Sequence, residues 1–326
     1  MTPRVTIACT VKNEERSLPA LLEGLLAQTL PPAEIVVVDG GSSDQTMPVL
    51  QRYVAQGHSI RAITVPGACR GRGRNVAIAE ARTELVALID GGCVPEPTWL
   101  EQLVAMSQAH PSTDVVFGVV RPITETFFTE CSVTATLAMR RLPSGQRIMS
   151  ESVASILMRR SAWERVGKFV EGLRTGEDLL FVQQLRRSHV GVGLAPGAVV
   201  HWQIPRTLRS TFHRFVTYAH FGLDAGLGHT WHYRTYAYWT MAVLLGGLAV
   251  GHSWWWLVLL GVLGGIRVLR KVLVHGTGTR GLRALAPHRV LFIGWIVLAV
   301  DVATLCGTLR WLREVWTARP TQAVSS

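Results

Sequence analysis

Residues Ile35 to Asp44 read IVVVDGGSSD: four β-branched residues run into an aspartate, two glycines and a polar cluster. A short unbroken apolar run closed by turn residues predicts a strand covered on both faces, because a half-exposed strand would alternate. Near-continuous β-rich runs recur on either side, at Val5–Cys9, Ile60–Val65 and Leu85–Asp90. Between these runs the apolar spacing predicts helices over about Leu18–Gln28, Thr46–Ala55, Arg74–Ala81 and Pro97–Ser107. Strand and helix in alternation specify an α/β fold with a doubly wound, mostly parallel sheet. Ligands of such sheets lie beyond the carboxyl ends of the strands, so the residues that follow each run are the first candidates for a site.

From Asp114 the pattern turns mixed, with strands expected at Asp114–Arg121, Ser152–Arg159 and Ala198–Gln203 and helices at Ser161–Val166 and Asp178–Ser188. The expected organisation is one catalytic domain over 1–204, an interfacial helical segment over 205–235, transmembrane helices over 236–310 and a tail over 311–326. Tyr236–Gly251 and Ser253–Leu269 are apolar runs near the lower limit for a membrane span, separated by Gly251-His252-Ser253, and read as a tight hairpin. Val290–Leu309 is a third candidate span; it contains Asp301, either a functional group or the partner of an arginine.

The distribution of charge supports that division. The chain has 326 residues and a net charge of +11, yet residues 1–200 hold 20 basic and 19 acidic side chains. Residues 201–326 hold 13 basic side chains against three acidic ones, Asp224, Asp301 and Glu314. Arginines flanking apolar runs are the signature of membrane topology, and no basic face for nucleic acid remains outside them. No nucleic-acid partner is expected. The N-terminus turns polar within a dozen residues and lacks the run of a signal peptide, which places the catalytic domain in the cytoplasm at the cell membrane. Five scattered cysteines with no CxxC pair read as reduced thiols.

Four strand ends carry chemistry. The first leads into Thr10, Asn13 and Glu14; the second ends in Asp39-Gly40-Gly41, a carboxylate that accepts from a base or ribose or else braces a turn, and the ligand reading is preferred. Asp44 reads as a helix cap. After the third strand, Arg70-Gly71-Arg72-Gly73-Arg74-Asn75 precedes a helix, where guanidiniums, free N–H groups and the helix dipole suit a diphosphate. The fourth strand ends in Asp90-Gly91-Gly92, with an acid placed to hold a divalent cation. Further on, Thr175-Gly176-Glu177-Asp178 opens a helix; its acids favour the helix dipole or take a proton from an attacking hydroxyl.

Together VVVDGGSSD, RGRNVAIAEA, LIDGGCVPEPTWL, TGEDLLFVQQL and VVHW, preceded by the N-terminal NEE, resemble the family 2 glycosyltransferases of GT-A fold. The resemblance includes the variety anchored by C-terminal membrane helices and covers about residues 3–225. It implies inverting transfer of a hexose or N-acetylhexosamine from a UDP- or GDP-sugar to a lipid-linked or glycan acceptor at the membrane, in cell-envelope or exopolysaccharide synthesis. By the resemblance Thr10, Asn13, Glu14 and Asp39 bind the nucleoside, and Arg72 and Arg74 the diphosphate. Asp90 corresponds to the first acid of the metal motif, His201 lies near the metal, and Asp178, with Glu177 beside it, is the general base. Gly92 stands where the family commonly has a second acid, so the Mg²⁺ or Mn²⁺ site rests on Asp90 and His201. The competing reading is a non-catalytic, membrane-anchored sugar-nucleotide-binding partner with a degenerate metal site.

Overall fold

A computed structural model describes residues 3–142, 147–149, 151–228, 232–275 and 284–317. The chain divides into two compact units, one of residues 1–123 and 140–204, the other of 124–139 and 205–326.

The first unit is built on an eight-stranded sheet. Its first half alternates β1 (Val5–Val11), α1 (Leu18–Leu26), β2 (Glu34–Asp39), α2 (Thr46–Ala55), β3 (Ile60–Thr64), α3 (Arg70–Ala79), β4 (Leu85–Asp90), β5 (Cys93–Pro95) and α4 (Trp99–Ala109). The second half contributes β6 (Val115–Pro122), a ribbon of β7 (Met139–Arg141) and β8 (Arg147–Met149), β9 (Ser155–Arg159), α6 (Arg160–Val166), α7 (Glu177–Arg187) and β10 (Val192–Trp202). Between β6 and β7 lies α5 (Phe127–Thr136), a helix of the second unit that the sequence pattern assigns to no element.

The strand order is β3-β2-β1-β4-β9-β6-β10-β5, with β9 antiparallel to both its neighbours and β5 antiparallel to β10. All six residues of β2 are buried, as its unbroken apolar run requires. Ile35 and Val37 face a core layer shared with α1 and α4, while Val36 and Val38 face the layer of α3, α6 and α7. Helix α1 shows the matching logic: Leu18, Leu21, Leu22 and Leu25, at helical spacing, are fully buried. Each such side chain contributes roughly 1.5–3 kcal/mol by leaving water.

Helix α3 starts earlier than the sequence predicts. The Cys69 thiol accepts from the Arg72 amide and caps a helix that begins at Arg70, so the arginine stretch is its first turn and not a loop before it. Gly71 and Gly73 permit this close docking: a Cβ on either would lie within 3.0 Å of the Val170 carbonyl or the Thr10 hydroxyl.

The second unit comprises α5, α8 (Leu208–Asp224), α9 (Tyr233–Gly251), α10 (Trp255–His275) and α11 (Pro287–Thr317). Among the described residues only α11 is long and apolar enough to cross a membrane, with a mean hydropathy of 2.2 over its best window. The expected spans at 236–251 and 253–269 fold as the helical arms α9 and α10 but do not meet that measure, so a multi-pass chain is not supported. The tyrosines that open α9 and Arg267, Arg270 and Lys271 near the end of α10 are the reason. Asp301, 2% exposed on α11, receives both guanidinium nitrogens of Arg267 at 2.5 and 2.8 Å and the Thr235 hydroxyl at 3.3 Å. Of the two readings of Asp301, the structure gives the arginine partner. Arg280 and Arg283, which follow α10 in sequence, and Arg319, which follows α11, lie outside the described residues.

Candidate active site

The parallel ladders of β1 with β2 and β4 set the site out along one edge. Thr10 stands opposite Asp90, and Val11 opposite Asp39, so the ends of three strands meet at one crevice.

On its β2 side the loops bind one another. The Asp39 carboxylate, on a residue 1% exposed, accepts from the amides of Gly41 (3.1 Å) and Ser42 (3.0 Å) and from the Ser42 hydroxyl. Gly41 makes this turn possible with φ +83°. Asp39 therefore braces its own turn, one of the two roles its sequence context offers. Asn13, at φ 56°, accepts from the Ser43 amide at 2.9 Å and donates its own amide to the Ser42 hydroxyl at 2.8 Å. Asp44, expected as the helix cap, stands one residue ahead of the N-cap Gln45 and braces the start of α2 by accepting from the Thr46 amide at 3.0 Å. The Glu14 amide donates to the Thr46 hydroxyl at 2.8 Å, and the Glu14 carboxylate accepts from Ser17.

On the β4 side Arg74 organises the charges. Its guanidinium donates to Glu177 Oε1 at 2.6 Å and Asp90 Oδ1 at 2.7 Å, and its carbon lies 5.4 Å from the Phe169 ring centre. Arg74 is 4% exposed and Glu177 2%, whereas the Asp90 side chain is 37% exposed. Arg74 thus faces carboxylates and not the open crevice where a diphosphate would lie; Arg70 and Arg72, both exposed, keep that possibility. Asn75 holds the facing segment by donating to the Phe169 carbonyl and accepting from its amide, both at 2.9 Å.

Asp178 follows Glu177 in the first turn of α7. Burial, and then the neighbouring Glu177 charge, push its carboxyl above the ordinary carboxylate range; Arg74 and the Leu179 amide act in the opposite direction. A carboxyl so placed holds a proton more tightly than a free one and is suited to receiving one.

His201, on β10, stands opposite Val94 of β5, and the Gln203 amide donates to the Gly92 carbonyl at 3.2 Å, which brings the end of β10 to the Asp90 turn. His201 Nε2 lies 3.1 Å from Glu96 Oε1, which also accepts from Arg121 at 3.2 Å. Sequence reasoning missed Glu96 and Arg121. Arg121 near the end of β6 was findable by the strand-end rule applied to β1 through β4, but Glu96 was not, because β5 is three residues long and its pairing is non-local.

Among the described residues no three His, Cys, Asp or Glu side chains converge on a metal site. The donor set fits a divalent ion held through the exposed part of Asp90 and completed by substrate oxygens, as Mg²⁺ commonly is. His201 already faces Glu96 through one ring nitrogen, an arrangement common in metal-bound imidazoles.

A mixed sheet with Asp90, Glu177 and Asp178 gathered beyond its strand ends is the arrangement of a GT-A fold. Residues 6–167 match the family Glycosyl transferase family 2, and this part of the chain is a domain of that family. A stretch of 184 residues, 54% of this chain, is 26% identical to glycosyltransferase AglE of Haloferax volcanii and spans 59% of that protein. A stretch of 179 residues, 53% of this chain, is 26% identical to the poly(ribitol-phosphate) β-N-acetylglucosaminyltransferase TarS of Staphylococcus aureus but spans only 30% of it. Among solved structures, the mannosyltransferase PcManGT of Pyrobaculum calidifontis, in complex with GDP-Man and Mn²⁺, aligns over 94% of this chain and 88% of its own with a TM-score of 0.61 at 18% identity. TarS residues 1–349 in complex with UDP-GlcNAc align over 98% and 93% with a TM-score of 0.51 at 14% identity.

Proposed function

We propose that the chain transfers a hexose or N-acetylhexosamine, with inversion, from a UDP- or GDP-sugar to a lipid-linked or glycan acceptor at a membrane, within cell-envelope or exopolysaccharide synthesis. The observation that carries this reading is the Arg74-bridged pair of Asp90 and Glu177 with Asp178 beside it, a grouping of carboxyls that suits a donor-side acid and a proton acceptor. An acceptor hydroxyl oxygen attacks the anomeric carbon from the face opposite the diphosphate. The new oxygen–carbon bond forms as the bond to the phosphate oxygen breaks; the nucleoside diphosphate leaves with the electron pair, and the hydroxyl proton passes to the Asp178 carboxylate. Glu177, locked to Arg74, keeps a negative charge next to Asp178 and so strengthens it as a base.

A divalent ion, Mg²⁺ or Mn²⁺, held by Asp90 with His201 nearby, would supply positive charge for the departing diphosphate. Arg70 and Arg72, exposed at the α3 N-terminus, suit the same diphosphate through guanidinium forks and the helix dipole. The PcManGT complex supports use of a divalent ion, and the two neighbours, holding GDP-Man and UDP-GlcNAc, support a nucleotide-sugar donor.

A membrane partner fits the second unit. Residues 235–266 contain no Asp, Glu, Lys or Arg, and Val243, Val250, Trp254 and Trp255 in this stretch are more than half exposed. Arg234 and Arg267 bound it, which suits an apolar hairpin dipping into lipid with its charged ends at the headgroups.

The test incubates detergent-solubilised protein with UDP-, GDP- and dTDP-sugars, with and without membrane lipid extract, and measures nucleotide release. Lipid-stimulated release from one donor class is expected; calorimetry showing no affinity for any of these nucleotides would favour the non-catalytic partner, the reading that Gly92 invites.

A further inference from the structure

The arginine stretch predicts phosphate ligands, yet its third guanidinium lies inside the protein. Arg74 is 4% exposed, stacks on Phe169 and divides its donors between two carboxylates from different parts of the fold. Asp90 closes β4 on the donor side, while Glu177 opens α7, the helix whose next residue is Asp178. The two acids are 87 residues apart in sequence and share one cation. Only a guanidinium bridges them, because its planar fork presents several fixed donors where an ammonium presents one point charge.

Two further observations concern the surroundings of this bridge. Glu177 Oε2 and the Thr175 hydroxyl, on either side of Gly176, are buried without a hydrogen-bond partner. Of the three side-chain oxygens of Thr175 and Glu177, only Glu177 Oε1 is hydrogen-bonded, and its donor is Arg74. Gly71, one turn before Arg74, packs so closely that a Cβ there would press the Val170 carbonyl and stand 3.6 Å from the Glu177 Cβ. Helix α3 and the start of α7 therefore interlock.

We propose that Arg74 is a positioning residue that couples donor binding at Asp90 to the placement of Asp178. When the diphosphate and its cation engage Asp90, the carboxylate stays tied through Arg74 to Glu177, and the α7 N-terminus is fixed in register with the donor. The inference rests on the sugar-transfer reading for its chemistry, but the coupling itself is a property of binding.

The experiment follows hydrogen exchange in residues 176–181 of the full chain, with and without saturating Mn²⁺ and whichever of UDP or GDP binds by calorimetry. In the wild type, nucleotide and Mn²⁺ slow exchange in this segment. In Arg74→Lys, which keeps a buried positive charge, nucleotide affinity stays within about threefold while the protection of 176–181 is lost. Transfer then falls by about 100-fold in kcat with donor KM little changed, the expected cost of a misplaced base. The double variant Arg74→Met, Glu177→Met removes the charges together; it recovers thermal stability but not protection or kcat. Full protection in Arg74→Lys, or absence of protection in the nucleotide-bound wild type, overturns the coupling. Wild-type protein that shows the protection but turns over no donor overturns the transfer reading and leaves the coupling standing.

Discussion

Gly71→Ala separates two accounts of the arginine–glycine stretch. If the glycines exist to let a diphosphate approach the backbone, an alanine there raises donor KM and leaves the fold alone. The structure instead puts Gly71 in a buried contact: a Cβ would stand inside 3.0 Å of the Val170 carbonyl, a main-chain atom that cannot rotate away. Inserting a methyl into such a contact costs about 1–3 kcal/mol. The better helix propensity of alanine returns up to about 1 kcal/mol, less at a first-turn position, which leaves a net loss near 1–2 kcal/mol. For a unit of this size that lowers Tm by about 2–8 °C. Because the displaced atoms border Glu177, kcat falls with it. Gly92→Ala is the control: a Cβ there meets nothing within 4 Å, and its Tm stays within about 2 °C of wild type. Calorimetric melts of the three proteins decide the matter. Gly71→Ala melting with the control while donor KM alone rises would refute the packing account.

Asp178→Asn is expected to abolish transfer and yet melt at or above wild type at pH 7. A carboxyl raised in the folded state stabilises below its unfolded pKa and loses that contribution as pH rises through its folded value, so the ionised group burdens the native state at pH 7; the gap in Tm closes toward acid pH, and a less stable variant at pH 7 refutes the assignment. The acid limb of the wild-type pH profile lies above the ordinary carboxylate range for the same reason. Gly92→Asp restores a second acid in open space and is expected to tighten Mn²⁺ binding by about tenfold, measured calorimetrically with nucleotide present; unchanged affinity would place the cation elsewhere. Asp301→Leu leaves Arg267 unpaired between helices and costs about 3–5 kcal/mol, most of which returns in Asp301→Leu, Arg267→Leu; melts in detergent that show no recovery would sink that pairing as the cause.

The sheet was legible because buried parallel strands write themselves as unbroken Val and Ile runs: β4 falls where Leu85–Asp90 predicts it, and α2 where Thr46–Ala55 does. The start of α3 was not, since glycine is a poor helix former and the helix is set by packing on Val170 and Thr10, contacts distant in sequence. Of the site, the positions of Asp90, Glu177 and Asp178 on strand and helix ends could be read from order and spacing. Which of them pair could not, because the Arg74 bridge joins segments that only the fold brings together. Asp39 shows the complementary limit, since Asp-Gly-Gly spells a turn brace and a ligand site alike, and the hydrogen bonds to Gly41 and Ser42 that realise the brace are set by the fold.

The five thiols give the molecule a built-in labelling scheme. Cys9 and Cys93 are buried, and burial, followed by the Asp90 charge, pushes both thiols upward, so neither supplies thiolate to an alkylating reagent. Cys131 is buried as well, whereas Cys69 is half-buried at the N-terminus of α3 and Cys306 is exposed on α11. A maleimide dye applied to the native chain should therefore mark one position at the arginine-rich first turn of α3 and one on the apolar helix, a reporter in each unit with no residue replaced.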